Sequence, residues 1–162
     1  MTTAAETATN NDREIVIARD FKGTLQAFAT DTLVVGNHAA LGFPSVVALV
    51  GSANAYLEIQ AGVSIEGALL SFNLKKEPAG FVKIEEGVVV SGQLYVDGAL
   101  QLMGDVRGSV MCRKLVYELP SGIVENHLID VAIDNELMLK TDFLGIPIGE
   151  QNGGAGVLKW LK

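Results

Sequence analysis

Apolar residues return in this chain every six positions, in pairs two residues apart. Stepping by six from Ile15 gives Ile15, Phe21, Ala27, Leu33, Ala39, Ser45, Gly51, Leu57, Val63 and Leu69. Two residues on, the companion series is Ile17, Gly23, Ala29, Val35, Leu41, Val47, Ala53, Ile59, Ile65 and Ser71. None of these positions carries a charge or an amide, whereas Arg19, Lys22, Glu58, Gln60 and Glu66 all fall between them. Residues i and i+2 share one face of a strand, so each hexad turns two side chains inward and must then bend. An amphipathic helix would need a spacing near 3.6, which the series lacks, and the β-branched content favours strands.

Two segments, Tyr56 to Leu70 and Phe81 to Tyr95, align without gaps around a kernel of the form apolar-x-Gly-x-apolar. The kernel recurs as Phe21-Lys-Gly23-Thr-Leu25 and Val106-Arg-Gly108-Ser-Val110. Past Ser71 the register breaks over Phe72 to Gly80, then resumes as Val82, Val88, Leu94, Leu100, Val106 and Cys112, with Ile84, Val90, Val96, Leu102 and Gly108 beside them. The two aligned segments lie 25 residues apart, which is three hexads plus a seven-residue insertion. The spacing predicts an all-β parallel β-helix of triangular section, with about 18 residues per coil and strands stacked about 4.8 Å apart. Gly62, Gly67, Gly87, Gly92 and Gly98 fall where corners demand positive φ. Beyond Cys112, Leu115 to Tyr117 and Leu128 to Ile133 read as strands separated by a turn at Pro120 to Gly122, and Glu136 to Lys140 as a short helix or a last strand. The organisation predicted is a disordered tail over 1–13, a β-helix domain over 14–148 with a loop insertion at 72–80, and a flexible Gly-rich tail over 149–162.

Composition narrows the function. Aromatics make up 6% of the chain and glycines number 18, which suits a core of small and aliphatic side chains. A net charge of −7 with no basic cluster argues against nucleic acid as a partner. Two histidines and one cysteine, far apart in sequence, make a poor metal set, and no phosphate-cradling or nucleophile-elbow motif occurs. We therefore expect no cofactor, no metal and no catalytic residue. His127, beside Glu125 and Asp130, could form an acid–base pair, but is more simply a residue that satisfies backbone where the coils end. His38, after Gly36-Asn37, reads as a surface corner, Asp130 and Asp134 as a solvated face, and Cys112 as a buried small hydrophobe. The terminal Trp160 and Leu161 suit either a partner or membrane contact or a cover over an open end.

Segments 56–71 and 81–112, together with Phe21-Lys-Gly-Thr-Leu25 and Gly104-Asp-Val-Arg-Gly-Ser-Val110, resemble the bactofilins, polymer-forming cytoskeletal proteins of bacteria. The resemblance spans about Ile15 to Cys112. It implies a right-handed β-helix that assembles head to head through its end coils into nucleotide-free filaments, often near the membrane. The loop at 72–80 and the region from Pro120 to Lys140 depart from that pattern. On physical grounds too, a solenoid exposes strand edges and an apolar cross-section at each end. Ile15, Ile17 and Phe21 at one end, and Leu128 and Ile133 at the other, are the candidate self-association residues. The expected partner is a second copy of the chain, with membrane or cell-envelope proteins reached through the tails. A cytoplasmic, membrane-associated location is expected; an anchor upstream of Met1 would instead make it an extracytoplasmic stalk. The enzyme alternative is a left-handed hexapeptide-repeat acyltransferase using His38 or His127. Bulky Phe21, Leu33, Leu57, Leu69, Leu94 and Leu100 stand against it, because that repeat keeps one inward position small.

Overall fold

The structure is a computed structural model that describes residues 13–75 and 77–136. Their regular structure is all β: parallel strands stacked as a β-solenoid, each coil contributing three strand segments that form three walls. The first wall stacks β1 (Glu14–Ile17), β4 (Thr32–Val35), β6 (Tyr56–Ile59), β8 (Phe81–Ile84), the end of β9 (Val89–Leu102) and Lys114–Leu115 of β10 (Asp105–Leu119). The second and third walls are built from β2 (Lys22–Gly23), β3 (Gln26–Ala29), β5 (Ala40–Val50), β7 (Ser64–Phe72) and the leading parts of β9 and β10. An antiparallel hairpin of β10 with β11 (Gly122–Glu125) follows.

Register shows how the hexads build a core. Ile15, Leu33, Leu57, Val82, Leu100 and Leu115 are successive partners on the first wall, and Leu33, Leu57, Val82 and Leu100 are fully buried. On the third wall Ala27, Val47, Leu69, Leu94 and Val110 form the matching inward ladder. At about 25 cal/mol per Å² of apolar surface, each buried Leu or Val contributes about 1.5–3 kcal/mol. No large central core is needed, because every coil roofs the one before it.

The bend between the second and third walls explains the kernel. In Ile65-Glu-Gly67-Ala-Leu69, Val90-Ser-Gly92-Gln-Leu94 and Val106-Arg-Gly108-Ser-Val110 the flanking apolar residues point inward and the glycine turns the corner, at φ +142, +145 and +155. A Cβ on Gly92 would lie 1.8 Å from the carbonyl oxygen of Gly67, and one on Gly108 would lie 1.9 Å from that of Gly92. At positions 67, 92 and 108 only glycine fits, both for its φ and for the close backbone approach, while Ser45 opens the column.

The structure corrects the repeat in five places. Glu14 pairs with Thr32, eighteen residues on, but Thr32 pairs with Tyr56, twenty-four on. Extra residues enter at Gly42–Pro44, where β5 slips register, and at 51–55, so Gly51 and Ala53 lie in a corner and Ala55 fills the buried position. Gly23 pairs with Leu41 rather than joining the bend glycines, so its kernel match is a coincidence of letters. Leu128 to Ile133 is not a strand; Ile133 makes one parallel bridge to Val106. Cys112 is half-buried rather than buried, because it belongs to the last coil. Residues 1–12 and 137–162, including the tails, the 137–140 part of the predicted final element, Trp160 and Leu161, lie outside the described residues.

Candidate assembly surface

The two ends of the solenoid differ, and the difference starts from backbone pairing. Among the described residues, β1 pairs only with β4, and β2 and β3 only with β5, so the outer edges of all three are unpaired. Unpaired edge groups are a template for another strand. Ile15, Phe21 and Leu25 pack against the core but remain half-buried, because among the described residues no preceding coil roofs them. Ile17 is buried, with 6% of its surface exposed. The predicted trio Ile15, Ile17 and Phe21 therefore stands together on the first coil. Leu25 joins them; the sequence reading missed it because it falls outside both hexad series.

Charge at this end is balanced. Arg13, Arg19 and Lys22 face Glu14, Asp20 and Asp31, with Arg13 3.9 Å from Asp31 and Arg19 3.1 Å from Asp20. Among the described residues this coil is therefore less acidic than the chain as a whole, whose net charge is −7.

At the far end the outer edge is partly occupied. β11 covers Val116–Leu119, the Asn126 N–H donates to the Leu115 carbonyl at 2.8 Å, and Val106 and Ala132 are joined by a backbone bond of 2.9 Å. Leu128 and Ile133, predicted as end-coil residues, are instead exposed on the covering segment. With Leu119, Ile123 and Ile129 they make up the exposed large apolar side chains of this end, Ile123 at 66%. Val110, Cys112, Leu115 and Val131 lie half-buried beneath them.

The candidate polar residues lie on exposed corners and segments. His127 is exposed, and its Nδ1 lies 2.9 Å from the Glu125 carbonyl oxygen, while the Glu125 carboxylate accepts from Lys114 at 3.0 Å. Of the two carboxylates named as partners for an acid–base His127, Glu125 is thus paired with Lys114. The Asp134 carboxylate accepts the Glu136 N–H at 2.8 Å. His38 occupies an exposed left-handed corner with φ 60, next to Gly62 of the following coil. On the first wall the Lys83 ammonium donates to Glu85 at 3.1 Å and to Glu58 at 3.4 Å, and Tyr56 stacks on Phe81 with ring centroids 6.0 Å apart. The bond to Glu85 leads in raising the Lys83 pKa, and burial followed by Glu58 raises that of Tyr56. Glu58–Lys83 and Tyr56–Phe81 are cross-strand pairs that tie adjacent coils, whereas Glu85 follows Lys83 on the same coil. A cleft of about 320 Å³ lies beside the hairpin, lined by Glu86, Met103, Asp105, Tyr117, Ile129 and Asp130 among others. It contains no nucleophile–base pair, and among the described residues no group of His, Cys, Asp and Glu could hold a metal ion. No helix of the described residues is long and apolar enough to cross a membrane.

Burial pushes the Cys112 thiol above the ordinary thiol range. A raised pKa lowers the thiolate fraction at any given pH below it, and the thiolate is the nucleophile. Alkylation of the native protein by iodoacetamide at pH 8 should therefore be at least about tenfold slower than in the urea-unfolded chain. Equal rates would place the thiol in open solvent.

No protein-family model, curated protein or solved structure matches this chain.

Proposed function

We propose that this protein is a structural, self-assembling scaffold of the bactofilin kind, which associates through the ends of its solenoid and carries out no catalysis. The observation that supports this most is the first coil, with three unpaired strand edges around the half-buried Ile15, Phe21 and Leu25. In the proposed contact two first coils meet about a two-fold axis, an isologous arrangement in which each supplies the same edge. The apolar side chains at the hairpin end, Leu128 and Ile133 among them, provide the second contact that extends dimers into a linear polymer. The tails with Trp160 would link the assembly to a membrane or a cell-envelope partner from the cytoplasmic side.

The test is sedimentation velocity and negative-stain imaging of the wild type beside Ile15→Glu and Phe21→Glu. Dimers or filaments are expected for the wild type. Each charge, placed against its own copy across the axis, should cut the assembled fraction at least about tenfold with the far-ultraviolet circular dichroism unchanged. A wild type that stays monomeric at high concentration overturns the reading.

A further inference from the structure

The last coil leaves a strip of backbone edge uncovered, and the chain itself is led onto it. Val106 donates its N–H to the Ala132 carbonyl and accepts the Asp134 N–H, both at 2.9 Å, so 132–134 run parallel to β10 on its outer side. The Ala132 N–H also donates to the Asp105 carboxylate at 3.0 Å. Alternate residues of a parallel strand direct their backbone groups to the same neighbour. Asp105 donates back to Val88, so Gly108, Val110 and Cys112 turn their N–H and carbonyl groups outward, as Val106 does. Among the described residues no strand pairs with that outer edge between Arg107 and Lys114, and Val110 and Cys112 lie half-buried beside it. At Asn135 the chain bends, with the Glu136 N–H donating to the Asp134 carboxylate at 2.8 Å, in step with the bend at Gly108.

We propose that residues 137–140 add to this edge as one more parallel strand, so that the chain roofs its own last coil. The register of the Val106–Ile133 bridge, carried onward, sets Leu137 on Val110, Met138 beside Met111 and Leu139 on Cys112. The residue types fit that register. Ile133-Asp-Asn135-Glu-Leu137-Met-Leu139 repeats Val106-Arg-Gly108-Ser-Val110-Met-Cys112, with an apolar residue at every inward position. Val131, Ile133, Leu137 and Leu139 restore the pairs two residues apart at a spacing of six. Asn135 takes the place of the bend glycine, and asparagine is among the non-glycine residues that tolerate positive φ. The added strand would pair outward backbone groups of β10 and cover apolar surface on Val110 and Cys112. A second copy must give up free motion to reach this edge, whereas this segment is already tethered beside it. Any contact with another copy at this end is then made on the added strand rather than on Val110 and Cys112. The inference does not rest on the scaffold reading.

The test uses the full chain, whose one cysteine is Cys112. Leu139→Cys places a second thiol in register with it, at about the 4.8 Å strand spacing. Met138→Cys, turned to the opposite face, is the control. Dibromobimane, which bridges two thiols that lie close together, should link Cys112 within one chain at least about tenfold faster in Leu139→Cys than in Met138→Cys. Equal rates would overturn the proposal. So would bridging that yields covalent dimers, because a second copy would then occupy the edge. Alkylation of Cys112 by iodoacetamide reads the same contact without a second thiol. Leu137→Asp and Leu139→Asp should each speed it at least about fivefold with the far-ultraviolet circular dichroism unchanged, and Met138→Asp should leave it as it is. Identical rates in the three variants and the unaltered chain would also overturn the proposal, because nothing in this segment would then cover the thiol.

Discussion

Replacing Gly92 with alanine should leave the chain unfolded or molten at room temperature. The new Cβ would stand 1.8 Å from the carbonyl oxygen of Gly67, with φ at +145. The obstacle is backbone rather than the end of a flexible side chain. That backbone is held between the coils through the pairs Gly67–Gly92 and Gly92–Gly108. Relief would require separating the coils along the bend. The φ strain alone costs about 1–3 kcal/mol, and the collision carries the total past about 4 kcal/mol. Domains of this size are stable by only about 5–15 kcal/mol. Gly122 is the control: its φ is +134, but an added Cβ meets nothing within 4 Å. Gly122→Ala should cost about 1–2 kcal/mol, the conformational part by itself. Urea unfolding followed by circular dichroism separates the two, and equal losses would mean that coil contact contributes nothing at the bend.

The same column shows why the sequence was legible where it was. Inward positions and bend glycines meet one steric requirement in each coil, so their residue types recur and a period emerges. Irregularities hide when they sum to the period. The extra residues at Gly42–Pro44 and at 51–55 together lengthen the second coil by one hexad, so the apolar series ran on unbroken through a corner. The last coil reads in the sequence as a continuation of the series through Val106 and Cys112, but its shortened length does not show there. Asp105 pairs with Val89, sixteen residues back, because Met103 and Gly104 turn a corner that takes Glu85 to Val88 in the coil before. The chain then leaves the repeat for a hairpin, and non-repeating structure has no period to detect. The outward row of the third wall, Phe28, Ala48, Leu70, Tyr95 and Met111, does not show in the sequence because its members are spaced by twenty, twenty-two, twenty-five and sixteen residues, and only the strand register aligns them. Of the candidate end residues, Ile15, Ile17 and Phe21 were readable as the start of the series. Leu128 and Ile133 were recognised as apolar, but nothing local revealed that they lie over the last coil rather than in it.

Leu57→Ala should destabilise the protein by about 2–5 kcal/mol, and Leu115→Ala by only about 1 kcal/mol, although both residues occupy one ladder. Leu57 is fully buried between Leu33 and Val82, so truncation opens a cavity with coils on both sides. Leu115 pairs with Leu100 on one side and remains half-buried on the other, so truncation there mostly uncovers surface that was partly wet already. Thermal and urea unfolding of the two variants measure the contrast; equal losses would show that burial in the ladder does not set the energetics. A stacked array has nearest-neighbour stability, and a residue in the middle serves two interfaces where one at the end serves a single interface. The apolar groups at the ends, Ile15, Phe21 and Leu25 above all, are only partly buried among the described residues, and the proposed contact would complete their burial. Truncating Ile15 to alanine should therefore change stability little in the isolated chain and association much more. In the proposed assembly, the residue type that holds the coils together in the interior would, at the end of the solenoid, join a second copy.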